Sequence, residues 1–241
     1  REPVAFFGYP GTPSRLTPEG CTLLSLATAE EDVEAALEAL ADALDAPAAP
    51  PPSARTAPAL PSGDLDAAAA GTVLALLQPE GAIVVDESNT TGVGYFQAAA
   101  SGPRHTLLTL TGGAIGMGPP CATGAAIACP DRTVIDFEGD GSALYTLQAL
   151  WTQAREQLHV ITLICANRSY RILTVEAARA KMESGPQALS LMDISRPQID
   201  WVQLARGLGV PGTRADSVDS LRQALSAAIA EPGPHLIEVV L

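Results

Sequence analysis

Four runs of mainly aliphatic residues, at 82–85, 133–137, 159–165 and 235–240, limit what this chain can fold into. Ala82-Ile83-Val84-Val85 and the seven residues from His159 to Cys165 do not alternate apolar with polar side chains. A strand built from either run cannot leave one face in water. Helical patterns lie between and around the runs, at 65–77, 119–128, 142–157, 201–207 and 218–229. Strands hidden on both faces and separated by helices predict an α/β fold, a parallel sheet sandwiched by helices. Such sheets bind ligands at the carboxyl ends of their strands. The residues just after each run are therefore the candidates for chemistry.

Residues 47–63 break the pattern. They hold six prolines among alanines and serines. Proline donates no backbone hydrogen bond, so the segment reads as an extended, semi-rigid linker. Ahead of it, residues 1–46 offer one predicted strand (22–27) and one helix (30–44) with Val33, Ala36, Leu37, Leu40 and Leu44 on its apolar face. That is too little for a domain and reads as the tail of one. Residues 64–241 form the main domain. The chain opens Arg1-Glu2-Pro3, with neither a methionine nor a signal peptide, which suggests part of a longer protein.

Charge and composition remove several classes of function. Fourteen Lys and Arg against 27 Asp and Glu leave a net charge of −13. No clustered basic face is available for nucleic acid or an anionic membrane. No segment is long and apolar enough to cross a bilayer. The cysteines Cys21, Cys121, Cys129 and Cys165 are scattered, which fits a reducing cytoplasm better than a disulfide frame. Three histidines are too few for a multi-histidine metal centre. His159 and His235 open predicted strands and read as structural, and Trp151 and Trp201 read as packing residues on helices.

The chemistry gathers at two strand ends. Gly139-Asp140-Gly141-Ser142 follows the second run, and Asn167 stands 25 residues beyond Ser142, at the end of the third. Neighbouring parallel strands bring the Asp140 carboxylate and the Asn167 amide oxygen to one edge. Hard oxygen donors suit Mg²⁺ or Ca²⁺, and the Ser169 backbone carbonyl is a plausible third ligand. A helix beginning at Ser142 aims free N–H groups at the same place, which favours a phosphate. The Gly-x-Gly spacing also imitates a dinucleotide fingerprint. It lacks the third small residue, where Leu144 stands, and the acidic residue at the next strand end, where Asn167 stands. A Gly-Asp-Gly tripeptide alone reads as a turn; Asn167 makes the difference.

These blocks resemble thiamine-diphosphate-dependent enzymes. Gly139 to Ser142 with Asn167 looks like their diphosphate-binding motif. Gly112-Gly113-Ala114-Ile115-Gly116-Met117-Gly118 is similar to the stretch that precedes it, and Asp86-Glu87-Ser88-Asn89-Thr90-Thr91 to a loop that touches the diphosphate. The resemblance spans the chain, with 1–46 as the end of a central α/β domain and 64–241 as the C-terminal cofactor domain. It is nearest to acetolactate-synthase-like large subunits and benzoylformate decarboxylase.

The resemblance implies thiamine diphosphate and Mg²⁺ as cofactors. Asp140, Asn167 and, through its backbone, Ser169 would hold the metal. Gly141, Ser142, Asn89 and Thr90 would hold the diphosphate. Ile115 would be the apolar wedge that bends the cofactor, and the Gly113 carbonyl would accept a bond from its amino group. Without its flanking glycines Ile115 reads as an ordinary core residue, and Ser88 and Thr91 read equally as turn residues. Ile172 and Leu173, in a segment resembling a lid over the substrate, read as pocket or as core. No catalytic residue is assigned here, because the family's activating glutamate comes from an N-terminal domain outside these residues. The implied function is a carboligase of 2-keto acids, cytoplasmic and working as a homodimer or homotetramer. The alternatives are a benzoylformate-type decarboxylase and a non-catalytic cofactor-binding subunit. Phe7 stands about where benzoylformate decarboxylase has a histidine, and so favours the carboligase.

Overall fold

The computed structural model describes residues 3–5, 8–49 and 56–241. Phe7 and part of the predicted linker lie outside them. The chain divides into two units, Arg1–Ala54 and Arg55–Leu241.

The first unit contains one helix among its described residues, α1 (Val33–Ala43), started by Asp32, whose side chain accepts the Ala35 N–H. Residues 22–27, expected as a strand, join no ladder, and Leu23, Leu24 and Leu26 are exposed. A strand needs a partner to bond to. Among the unit's described residues the only bridge is the isolated pair Val4 and Arg15.

The second unit carries the predicted sheet. Its strands are β1 (Ala82–Glu87), β2 (His105–Thr109), β3 (Val134–Gly139), β4 (Val160–Ala166), β5 (Gly212–Ala215) and β6 (His235–Val240). They lie in the order β2-β1-β3-β4-β6-β5, every pair parallel. The four predicted runs are the inner strands β1, β3, β4 and β6. Alternate residues of each point to opposite faces. Val84, Ile135, Phe137, Ile161, Leu163 and Ile237 pack on α2 (Ala67–Leu77), α3 (Val93–Ala99) and α10 (Val218–Ala230). Ile83, Val85, Val134 and Val160 pack on α4 (Gly118–Ala128), while Ile164 and Leu236 pack beside α6 (Ala149–Arg155) and α9 (Trp201–Gly207).

The predicted helix at 142–157 is two pieces. α5 (Asp140–Ala143) is a single turn, and α6 begins only at Ala149. Between them the Thr146 hydroxyl donates to the Gly116 carbonyl at 2.8 Å, and Tyr145 sits against Gly116. The chain follows the neighbouring loop there. α7 (Arg171–Arg179) and α8 (Pro186–Met192) follow β4 in the chain. On α7, Ile172 is half-buried and Leu173 exposed, so neither is a core residue. Trp201 is buried as expected, but Trp151 is exposed, with the Arg155 guanidinium 5.0 Å from its ring centroid. His159 and His235 each bond a backbone carbonyl, of Ala228 and Glu231, at the strand starts.

α2 and α3 approach each other at Gly71, whose position leaves no room for a Cβ beside the Tyr95 backbone. Tyr95 itself is buried and donates its hydroxyl to Gln78 at 2.9 Å. Among the described residues no helix is long and apolar enough to cross a membrane.

Candidate functional site

The carboxyl ends of β1, β3 and β4 lie side by side, with Glu87 opposite Glu138 and Gly139 opposite Cys165. After β1 the chain turns at once. The Asp86 carboxylate accepts the Ser88 hydroxyl at 2.5 Å and its N–H at 3.2 Å. Asn89 takes a left-handed conformation, φ 51°, which Asn tolerates better than most residues. Its amide donates to the Glu87 carbonyl at 2.9 Å and to the Ser142 hydroxyl at 3.1 Å. The loop after β1 is thereby tied to α5 after β3. Asn89 and Thr90 are half-exposed, whereas Ser88 and Thr91 are buried. Ser88 serves the turn.

Asp140 is held by two backbone donors. Its Oδ1 accepts the Gly141 N–H at 2.9 Å and its Oδ2 the Arg168 N–H at 2.6 Å. The second bond reaches across to the loop after β4. That loop is a tight turn in which Arg168 has φ 60° and the Asn167 side-chain oxygen accepts the Ser169 N–H at 2.9 Å. The Ser169 hydroxyl donates to the Met192 carbonyl, and its own carbonyl accepts none of the described hydrogen bonds. Burial raises the Asp140 carboxyl to about 6 against the pull of its backbone bonds to Arg168 and Gly141.

This donor set fits a hard divalent cation. It consists of one oriented carboxylate, one amide oxygen and one free carbonyl; Mg²⁺ completes such a set with waters and phosphate oxygens. Among the described residues no group of three His, Cys, Asp or Glu side chains could hold a metal; the set here needs only one. The expected long helix behind the diphosphate is the one-turn α5. The Gly141 N–H is taken by Asp140; the other first-turn N–H groups have no partner within the helix, but the dipole of a long helix is lacking.

The glycine-rich loop stands beside this group. Gly112, Gly113 and Gly116 have φ of 68°, 67° and 98°, which glycine alone adopts freely. Residues 112–114 are exposed, Ile115 is half-buried, and Gly116 and Gly118 are buried. Gly113 and Ile115 thus occupy an arch on two buried feet, next to the hydrogen-bonded group rather than inside it.

Sequence reasoning missed what lies beneath that arch. The Glu87 carboxylate accepts the Gly116 and Gly118 N–H groups, one on each oxygen, at 2.5 Å. Asp136 and Glu138 converge on Gly118 from β3. Both are fully buried, and Asp136 Oδ1 and both Glu138 oxygens have no hydrogen-bond partner among the described residues. Burial, then the neighbouring Glu87, pushes Asp136 well above the usual carboxylate range; burial, then Asp136, does the same to Glu138. The available signal was three acids inside otherwise apolar strands.

A carboxyl raised in the folded state binds more protons folded than unfolded. Stability then falls as pH climbs from the ordinary carboxylate range toward the folded value. Asp136→Asn removes that loss and offers its neighbours an N–H donor. It is expected to stabilise the protein at pH 8 by about 1–3 kcal/mol, the cost of an unsatisfied buried group, with the gain shrinking toward pH 4. Thermal unfolding across that range checks it; a variant less stable at pH 8 refutes the cause given.

A parallel sheet with hydrogen-bonded polar loops across three strand ends defines a class of cofactor-binding domain. The chain matches the family described as "Thiamine pyrophosphate enzyme, C-terminal TPP binding domain" over residues 90–239 and belongs to it. The cofactor of that family is thiamine diphosphate. The chain is 52% identical over 243 aligned residues to a Mycobacterium tuberculosis protein named "Putative acetolactate synthase large subunit IlvX"; the match covers 100% of this chain and 47% of the relative. It is 33% identical to the benzoylformate decarboxylase of Pseudomonas aeruginosa, over 86% of this chain and 39% of that one. Among solved structures, the thiamine diphosphate-dependent 4-hydroxybenzoylformate decarboxylase of Rhodococcus jostii superposes with a TM-score of 0.69 at 31% identity, over 85% of this chain and 38% of that one. The chain spans less than half the length of each of these relatives.

Proposed function

We propose that this chain binds thiamine diphosphate and Mg²⁺ for a carboligase of 2-keto acids. Asp140 and Asn167 hold the Mg²⁺ through side chains and Ser169 through its backbone carbonyl. Gly141, Ser142, Asn89 and Thr90 hold the diphosphate. Ile115 would lie beneath the cofactor, and the Gly113 carbonyl would accept a hydrogen bond from its amino group. When bound, the cofactor supplies a thiazolium ring that acts as an electron sink for decarboxylation. The observation that carries the reading is the locked Asp140 carboxylate facing the Asn167–Ser169 turn, in a chain of this family. Hard oxygen donors with few protein charges are what Mg²⁺ and a substrate phosphate require. The whole enzyme works in the cytoplasm as a homodimer or homotetramer.

The likeness at 52% identity, over all of this chain and 47% of the relative, to a protein named as an acetolactate synthase subunit supports carboligation. A second reading, decarboxylation of aryl 2-keto acids, is supported by the benzoylformate decarboxylase likenesses. Product analysis of the whole enzyme separates them. With pyruvate, a two-substrate ligation product is expected. Aldehyde and carbon dioxide alone, formed from benzoylformate, would favour the second reading. No product from either, with cofactor bound, would leave a non-catalytic binding subunit.

A further inference from the structure

The feature the cofactor reading does not use is the carboxylate under the glycine-rich arch. Glu87 is 1% exposed, sits at the end of β1, and reaches 29 and 31 residues along the chain to the Gly116 and Gly118 amides. Both of its oxygens are engaged there. Thr146 grips the same foot from the other side, through the Gly116 carbonyl. Tyr145 closes the space over Gly116, and Glu138 and Asp136 close the space over Gly118. The feet are therefore fixed on every described side, while Gly112, Gly113 and Ala114 between β2 and the feet stay exposed.

We propose that Glu87 is a positioning residue: by holding the Gly116 and Gly118 amides, it sets the height of Ile115 and Gly113 against the ring portion of the cofactor. The proposal rests on the cofactor reading given above. It divides the site into two separable parts. The cation and diphosphate are held by residues 89–90, 140–142 and 167–169, none of which bonds to the arch. The rings are held by the arch, whose placement depends on Glu87. A buried charged acceptor with two short backbone bonds constrains its partners strongly, because losing either bond strands a buried donor.

The test uses Glu87→Gln in the 241-residue chain, with two probes. Gln has nearly the same shape but one acceptor, and its NH₂ group opposes one of the two amides. Thiamine diphosphate with Mg²⁺ is expected to bind about 10-fold more weakly by calorimetry, in proportion to one lost charge-assisted bond. Inorganic diphosphate with Mg²⁺ is expected to bind as in the wild type. A merely structural role would weaken both probes alike, and that result overturns the proposal, as does unchanged binding of thiamine diphosphate. Wild-type protein that binds neither probe would instead sink the cofactor reading, and the proposal with it. A second measurement needs no variant. In the wild type without cofactor, the Gly116 and Gly118 amides should resist hydrogen exchange at least 10-fold better than the Gly112 amide, because only bonded amides are protected. Equal exchange at the three glycines overturns the anchor.

Discussion

Asp140→Ala should lower the affinity for thiamine diphosphate with Mg²⁺ by about 2–4 kcal/mol, roughly 30- to 700-fold. The carboxylate is the only charged donor of the proposed set, so its removal takes the main neutralising group from the cation and leaves the diphosphate charge uncompensated. Alanine also strands the Gly141 and Arg168 amides that Asp140 now accepts. The Asp140→Asn variant keeps an oxygen for one of those amides and sets its NH₂ group against the other, so it shares the stranding only in part. It should hold the local fold yet still bind the cofactor poorly. Asn167→Ala should act in the same direction and less strongly, because an amide oxygen carries no net charge. Calorimetric titration with and without Mg²⁺ reads all three. Unchanged affinity in both Asp140 variants would remove Asp140 from the metal site.

The largest expected effect on stability is far from that site. Gly71→Ala should destabilise the protein by about 3 kcal/mol, at the upper end of ordinary overpacking. A Cβ at Gly71 would overlap the Tyr95 nitrogen and lie 2.9 Å from the Gly94 carbonyl carbon. The obstacle is backbone on both counts, so no side chain can swing aside. α3 would have to withdraw from α2, and the buried Tyr95–Gln78 hydrogen bond lies on that path. Alanine has the higher helix propensity, worth about 1 kcal/mol in its favour. A stabilised variant in urea unfolding would therefore mean that the two helices do not meet as described.

The strands that could be read from the sequence are those buried on both faces. β1, β3, β4 and β6 are mainly apolar because helices cover both sides. β2 and β5 were missed for the opposite reason: they are the sheet edges, and His105–Thr109 and Gly212–Ala215 remain partly exposed. Their mixed composition carries no period. The break between α5 and α6 was equally silent, since it comes from Thr146 and Tyr145 meeting a loop some thirty residues earlier. Residues 22–27 show the converse error. Their composition suits a strand, but strand pairing is a property of two segments. Within the site, Asp140 and Asn167 could be placed because each ends a strand, and parallel neighbours align their ends. Glu87 lies inside the 86–91 motif, where nothing in the sequence marks its role. Its partners are backbone amides, and a sequence gives no sign of which amides need an acceptor.

The hydrogen-bonded group at the strand ends has a consequence for how the protein is sensed and kept in the cell. Asn89 to Ser142 and Asp140 to Arg168 are bonds between segments 53 and 28 residues apart. They exist only once β1, β3 and β4 have paired, so an unfolded or half-paired chain offers the cofactor nothing to bind. Thiamine diphosphate then acts by mass action on the folding equilibrium itself. At a free concentration 100 times its dissociation constant, it would add about 2.7 kcal/mol to stability. The abundance of the folded protein should accordingly follow vitamin supply, with the starved chain surrendered to proteolysis first.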